Sequence, residues 1–549
     1  MVILWSWFMF DEGKLCLSSL STTYGNITPV FLVTIDESVS AVEILHSVVG
    51  SRCSPWFRRF CSYGRDAREA TVVYLGSKIL RDRAKSLDSI VWKEASSSSS
   101  IQARLMKWLP CSRSHLPPPP SPSPSLPAAS SSLQHIASSQ PKGIAKVILK
   151  KGKTQLFKDG SPMVYSGAVD RIIGRPPPKT GDIVLVADGT EKPIGWGLYN
   201  SVSMFCVRLM QLEEEATRDP SCTLDMEKLL ETRINAAIEL RRRVGLPSAI
   251  TNAYRLINSE GDRLSGLIVD VFGDLAVVAS SAAWVEKYKS QVEACISSID
   301  EINHIHWRPS VEILKEEGMD AADLKELHPS TCPQRTKVIE NGISYAISLE
   351  GQKTGFYADQ RENRMFLSTI SHGQRVLDVC CYSGGFALNA AKGGAMSITG
   401  VDTSLPALEL ARENIALNNL DPGKASFLRE DATVFMKAAL SRKESWDIVI
   451  LDPPKLAPSR KVLQSASGMY RNLNSLAMKV TRRGGLLMTC SCSGAMTQSG
   501  MFLRTLQGAA SMAERKITVL RQSGAGCDHP IDPAYPEGAY LSNILLRVL

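Results

Sequence analysis

Apolar residues are spaced in four different ways along this chain. From Val376 onward, short continuous apolar runs such as VLDV (376–379), DIVIL (447–451) and GGLLMTC (484–490) alternate with stretches of helical spacing. Runs of that length, closed by Gly, Pro or Asp, predict buried parallel strands joined by helices. Residues 253–350 mix strands such as LSGLIVDVFGDLAVVAS with a helix near 284–299, which predicts a small α+β segment. Leu224 to Val244 takes helical spacing and stops at Gly245, which predicts one long helix. Between 144 and 212, short Val/Ile/Leu runs alternate with Gly, Pro and Asp-Gly turns, the pattern of a small β-barrel. Residues 1–105 carry no sustained periodicity, and a Pro/Ser-rich tract follows them. Four regions follow: 1–143, low-complexity and expected to be disordered; 144–215, a β-barrel; 216–350, a linker helix and small α+β domain; and 351–549, an α/β domain.

Composition sharpens this division. The 549 residues are 44% hydrophobic and 21% charged, a globular balance with room for several cores. The tract LPPPPSPSPSLPAASSS, after Met106, cannot bury enough apolar surface to offset chain entropy. From Ala95 to Lys158 there is no Asp or Glu, while Arg104, Lys107, Arg113, Lys142 and Lys146 are basic. Ser-rich, basic and acid-poor is the composition of an organelle transit peptide, and an ordinary linker is the alternative. Its position predicts Met106 as the biological start. The expected destination is the chloroplast, then the mitochondrion, with the cytoplasm as the alternative. No apolar run reaches the ~20 residues needed to span a bilayer, so no membrane partner is expected. Thirteen cysteines without a repeated C-x-x-C pair or a nearby histidine set indicate neither a metal site nor a disulfide framework.

The formal charge of +8 is compatible with a nucleic-acid partner. Lys150, Lys151, Lys153, Lys158, Arg171 and Arg175 fall mostly in loops and edges of the barrel. They can dock a phosphate backbone or simply solvate one face. Arg241, Arg242 and Arg243 read first as cations ending a helix and second as RNA contacts.

The richest stretch is VLDVCCYSGGFALNAAKGGAMSITGVD (376–402). It reads as a strand carrying Asp378, a tight turn Tyr382-Ser383-Gly384-Gly385 followed by Phe386, a helix, and a second strand ending on Asp402. Small residues at the first strand-to-helix turn let the backbone approach a ligand, and a carboxylate ending the second strand can accept hydrogen bonds from a ribose diol. A dinucleotide needs G-x-G-x-x-G, which is absent. A cofactor without phosphate fits better: the helix N-terminus can favour its carboxylate and Asp378 its ammonium. This pattern resembles the class I S-adenosylmethionine (SAM) methyltransferases. Asp431, after the next strand, can accept from an adenine amino group, cap the following helix, or do both.

Two later strand ends carry candidate chemistry. In WDIVILDPPKLAPSR, two prolines stiffen the loop that holds Asp452 toward a substrate, with Lys455 beside it. Methyltransferases acting on exocyclic base nitrogens commonly have Asn-Pro-Pro and an aromatic here, so Asp and Lys argue against an amino-nitrogen target. In GGLLMTCSCSGAMT, Cys490 and Cys492 close a strand. Cytosine C5 is not nucleophilic, but a thiolate adding to C6 turns it into an enamine-like carbon, and that chemistry requires a cysteine.

With these blocks stand SGAV (166–169), RLINSEGDRLSGLIVD (255–270), KTGFYADQRENR (353–364), YSGGF (382–386), DPPK (452–455), SCSG (491–494), DHP (528–530) and YPEG (535–538). Over about 144–549 the chain resembles the RlmI-type large-subunit ribosomal RNA cytosine-5 methyltransferases. The resemblance implies an α/β fold: a Rossmann-like class I methyltransferase domain, an N-terminal PUA β-barrel and a small α+β central domain. It implies SAM as cofactor, ribosomal RNA as partner, and Cys492 as nucleophile with Asp452 and Lys455 beside it. The cofactor set is then Asp378, Tyr382, Ser383, Gly384, Gly385, Phe386, Asp402, Asp431 and Asp452, with Tyr357 and Gln360 covering it. Cys490 is an extra thiol, Cys380 and Cys381 read as packing residues, and Arg361 and Arg364 as helix caps. Lys455 can steer phosphate or polarise the ring. Methylation of a guanine ring nitrogen, and a SAM-binding assembly factor without catalysis, are the competing readings. Monomer and homodimer are both open.

Overall fold

The computed structural model describes residues 5–10, 13–18, 32–34, 133–140, 143–320, 334–349 and 354–549. The chain divides into two units, residues 1–124 and 125–549. In the first, Trp5–Phe10, Gly13–Ser18 and Leu32–Thr34 form a small antiparallel sheet where no element was expected. Met106 and the LPPPPSPSPSLPAASSS tract after it lie outside the described residues.

The second unit reaches further back than the sequence pattern suggested. A helix, Leu133–Ser138, lies inside the stretch read as low-complexity, and it buries Leu133 and Ala137 in the same core as Leu198 and Ala216. The expected barrel is an open sheet of six strands in the order Met163–Tyr165, Phe205–Leu212, Pro193–Tyr199, Ile183–Ala187, Ala145–Leu149, Val169–Ile173. Its two outer strands meet only through the short turn Ser166–Ala168 and do not pair, so the barrel is half closed. Gly197 lets two of the strands approach: a Cβ there would run into the carbonyl of Arg208.

The long helix Met226–Arg243 is N-capped by Asp225, whose side chain accepts from the Lys228 amide. It buries Leu229, Leu230 and Ile234 at helical spacing between the open sheet and a four-stranded central sheet, Ala253–Asn258, Leu267–Phe272, Leu275–Ser280 and His304–Pro309. One core therefore runs through sheet, helix and central domain; Trp196, Leu230 and Val269 belong to it. A hairpin, Arg335–Glu340 with Ile343–Ser348, turns on Asn341-Gly342 at φ 51° and 72°, as a two-residue I′ turn requires. Its Val338, Tyr345 and Ile347 pack into the core of the C-terminal domain.

That domain is a seven-stranded sheet. Its strands are β1 (Arg375–Val379), β2 (Ser397–Asp402), β3 (Ala425–Arg429), β4 (Trp446–Leu451), β5 (Thr481–Ser491), β6 (Ile517–Ser523) and β7 (Ser542–Val548), in the order 3-2-1-4-5-7-6. The first five are parallel and β7 is antiparallel to its neighbours. Helices α1 (Arg361–Ile370), α2 (Gly385–Lys392), α3 (Leu405–Leu417), α4 (Ala432–Ser441), α5 (Leu463–Val480), α6 (Gly494–Gln498) and α7 (Met501–Ala513) cover it. Strand order reverses between β1 and β4, so a crevice opens at the carboxyl ends of these strands.

Three arginines tie the central and C-terminal domains together. Arg361 forms a two-point pair with Asp528 at 2.8 and 3.0 Å, and the backbone amide of Arg255 donates to the same carboxylate at 2.9 Å. Arg241 grips Asp262 with two bonds and donates to the backbone carbonyl of Asp528 at 2.8 Å. Arg241 is thus 1% exposed and structural rather than an RNA contact, and Arg361 is a buried clamp rather than a helix cap. Arg364 is likewise buried against Glu340 and donates to the Tyr357 carbonyl.

Candidate active site

A cavity of about 780 Å³ opens at the carboxyl ends of β1, β2, β4 and β5, within the roughly 300–1,000 Å³ range of small-molecule sites. The turn after β1 shapes one wall. Cys380, Tyr382 and Gly384 have φ of 63°, 49° and 80°, so the backbone doubles back on itself before α2 begins. The amides of Cys380 and Cys381 donate to the Val401 carbonyl, which anchors the turn to β2. Tyr382, Ser383, Gly385 and Phe386 face the cavity. Gly384 does not: a Cβ on it would lie 2.9 Å from Leu388 and 3.1 Å from Ala411, so this glycine is there for close packing and for its left-handed backbone.

Asp402 at the end of β2 is locked by two backbone amides. Its Oδ2 accepts from Tyr382 and its Oδ1 from Ser404, both at 2.9 Å. Asp431 caps α4, accepting from the Thr433 and Val434 amides, and also lines the cavity. Tyr357 and Tyr382 meet edge to face with centroids 5.3 Å apart, forming an aromatic corner. Beside it stands Gln360, donating to Asp452 Oδ2 at 3.2 Å.

The opposite wall carries Asp452, Pro453, Pro454 and Lys455 after β4 and Cys492 just past β5. Cys492 Sγ lies 3.9 Å from the Pro453 carbonyl oxygen, so the thiol is seated against the stiff loop. Ser493 fixes the following bend by donating to the Ala457 carbonyl at 2.6 Å and capping α6. Cys490, two residues earlier, points into the sheet, fully buried and in contact with Asn543 Nδ2 at 3.2 Å. Cys380, read as packing, lines the cavity together with Cys381.

Asp378 departs most from expectation. It does not reach the cavity wall: it is fully buried beneath the turn, with Oδ2 accepting from the Ala387 amide at 3.0 Å and Oδ1 without a partner. Burial pushes its acid up to about 8, and the nearby charges of Asp452 and Asp402 add to that. Missing from the sequence reading were Met469, Asn472, Leu473 and Leu476, at positions i, i+3, i+4 and i+7 of α5, which present one face to the cavity. Their spacing was visible, but nothing in it distinguishes a pocket wall from core.

These groups fit SAM. Asp402 and Asp431 place fixed carboxylates at the ends of two neighbouring strands, the kind of acceptor that a ribose diol and an adenine amino group require. Asp359, Glu430 and Asp452 make the lining acidic, as suits a ligand carrying a sulfonium and an ammonium. The unpartnered, proton-retaining Asp378 below them marks a site short of positive charge.

Comparison with known proteins agrees with this geometry. Residues 326–531 match the S-adenosylmethionine-dependent methyltransferase family model, and residues 147–212 a PUA-like domain. Ribosomal RNA large subunit methyltransferase I of Escherichia coli strain SMS-3-5 / SECEC is 32% identical over 408 residues, 74% of this chain and 99% of that protein, and the strain K12 protein gives the same figures. A methyltransferase crystallised with SAH shares the fold at a TM-score of 0.61 with 21% identity, covering 73% of this chain and 99% of its own. A SAM-dependent methyltransferase from Streptococcus mutans gives a TM-score of 0.60 at the same identity and coverage.

Proposed function

The chain belongs to the ribosomal RNA large subunit methyltransferase I family, SAM-dependent methyltransferases with a PUA-like domain, and from that footing we propose that it forms 5-methylcytosine in large-subunit ribosomal RNA through a covalent bond to Cys492. One observation carries the reading: Cys492 and Asp452 stand at the ends of adjacent parallel strands, on the wall of the cavity that Asp402 and the Tyr382 turn prepare for the cofactor. An amino-nitrogen methyltransferase has no use for a thiol there.

Bound SAM supplies a methyl group on a sulfonium, an electrophile that requires a nucleophilic carbon. The chain's own residues make that carbon. The target cytosine turns out of its stack and enters between the Asp452–Lys455 loop and Cys492. Cys492 Sγ, as thiolate, bonds to C6, and the C5–C6 π pair moves to C5. A proton from water is taken up at N3, where the Asp452 carboxylate accepts the new N3–H bond. Once C5 carries the methyl group, a bound water removes the C5 proton, the Sγ–C6 bond breaks as the C5–C6 double bond re-forms, and N3 gives its proton back to water, which returns the neutral base and the thiolate. Phe386, Tyr357 and Tyr382 keep water from the methyl group. Lys455, exposed at the rim, meets the phosphate of the turned-out nucleotide.

Cys492→Ala tests this. It is expected to bind SAM as the parent does and to lose 5-methylcytosine formation by about 10³-fold or more, read by mass spectrometry of rRNA nucleosides. Undiminished 5-methylcytosine from that variant refutes the nucleophile, and a methylguanosine product refutes the target.

A further inference from the structure

Asp452 is held from behind the cavity by a chain of hydrogen bonds whose direction is set at its far end. Arg521 in β6 donates from Nη1 to Asn363 Oδ1 at 2.8 Å, and the Ser523 hydroxyl donates to the same atom at 2.8 Å. A guanidinium can only donate, so that atom of Asn363 is the amide oxygen and the usual O/N ambiguity is removed. Asn363 Nδ2 therefore donates to Gln360 Oε1, at 2.8 Å. Gln360 is left with its N–H pointing at Asp452 Oδ2, at 3.2 Å. Arg521 is itself braced over the Phe366 ring, 4.7 Å from its centroid. Asn363 and Gln360 are 1% and 3% exposed, so bulk water does not substitute for either link.

We propose that Asn363 and Gln360 are positioning residues for methyl transfer: the Arg521–Asn363–Gln360 chain keeps an amide N–H, never an amide oxygen, facing the Asp452 carboxylate. This rests on the reading of Asp452 as the group that meets the pyrimidine ring. Burial first, and Asp452 in part, pushes up Asp378 on β1, Cys380 in the turn, Tyr357 before α1, Tyr470 on α5 and Cys490 on β5, so each keeps its proton and stays neutral. The carboxylate gains from such a donor because these neighbours bring it no positive charge. Cys492 stands beside it on the same wall, and Lys455 at the rim. The chain also accounts for the extra thiol: Cys490 fills the space under Gln360 and is bonded by it.

Reversing the polarity tests the idea without emptying the space. In Asn363→Asp, both side-chain oxygens accept, so Gln360 turns its N–H to residue 363 and its Oε1 to Asp452. The Asp452 carboxyl, labelled with ¹³C-aspartate and assigned by its absence in Asp452→Asn, is then expected to titrate about one pH unit or more higher in the ligand-free full-length protein. Single-turnover methyl incorporation from labelled SAM, counted on RNA whatever the base, should have its acidic limb moved up by the same interval as the carboxyl titration and match the parent to within about threefold above that limb, with SAM affinity unchanged. Arg521→Lys keeps a donor and should keep the parental pH profile. An Asn363→Asp protein whose Asp452 titrates at the parental midpoint, or whose rate falls by one factor at every pH, overturns the proposal and leaves Asn363 a packing residue. Because the titration needs no RNA and the counting ignores the base, a failure of the cytosine reading, seen in the nucleoside analysis of Cys492→Ala, is separately visible.

Discussion

Asp378→Asn separates charge from shape at the floor of the cofactor cavity. The native carboxyl is fully buried, accepts one amide hydrogen bond, and is pushed by burial from 3.8 to about 8. Unfolded, it ionises near 3.8; folded, it keeps its proton until about pH 8. The folded state therefore binds more protons than the unfolded state between these values, so stability from this group is full below pH 3.8 and falls as pH rises. The slope is roughly 1.36 kcal/mol per pH unit, which caps the loss over the whole window at about 5–6 kcal/mol. Asparagine has no such slope; it adds a constant cost of about 1–3 kcal/mol because its N–H₂ occupies the partnerless Oδ1 position. Urea unfolding of the full chain from pH 5 to 9 reads the difference. The parent should lose stability relative to the variant by about 1 kcal/mol per unit up to pH 8, then run parallel. Saturating SAM, whose positive charge favours the ionised carboxylate, should flatten the parental slope and leave the variant's unchanged. Curves parallel throughout would show that Asp378 is already ionised at neutral pH and would remove the argument that the site is short of positive charge.

Two further substitutions probe the scaffold around that site. Asp528→Ala strands the buried Arg361 guanidinium and the Arg255 amide, and should cost about 3–5 kcal/mol in chemical denaturation; a loss under 1 kcal/mol would mean the clamp is solvated. Gly384→Ala forces a Cβ onto a residue at φ 80° and against Leu388, so SAM affinity by calorimetry should fall about tenfold or more, and an unchanged affinity would show that the turn can relax.

Local pattern announced most of the methyltransferase domain because strand ends carry its chemistry: Asp402, Asp452 and Cys492 close or follow largely buried runs, Asp431 follows the half-exposed strand Ala425–Arg429, and all four line one cavity. What stayed hidden depends on partners distant in sequence. Asp378 has the right residue type on the right strand, yet α2 folds over it, and nothing in VLDV announces that cover. Arg361 and Asp528 are 167 residues apart, and Arg241 and the Asp528 carbonyl 287. A cluster of arginines at a helix end looks the same whether it faces water or a carboxylate. The barrel was half right for a similar reason: alternation gives strands, but closure depends on whether the first and last of them meet.

The Asp528 clamp also dictates an order of events during synthesis. Arg241, Arg255 and Arg361 are all translated before the aspartate that receives them, and two of the three bonds span more than 270 residues. Until that aspartate arrives, the Arg361 guanidinium must stay hydrated at a seam that cannot close, because a buried cation without its partner is costly, whereas Arg241 and Arg255 already hold Asp262 and Asp270. The open sheet, the long helix and the central strands can assemble from the chain already made. The cofactor cavity waits for the segment that brings in Asp528 and, a few residues later, Leu541 on its wall. Binding competence should therefore appear late and all at once as the chain emerges, rather than growing domain by domain.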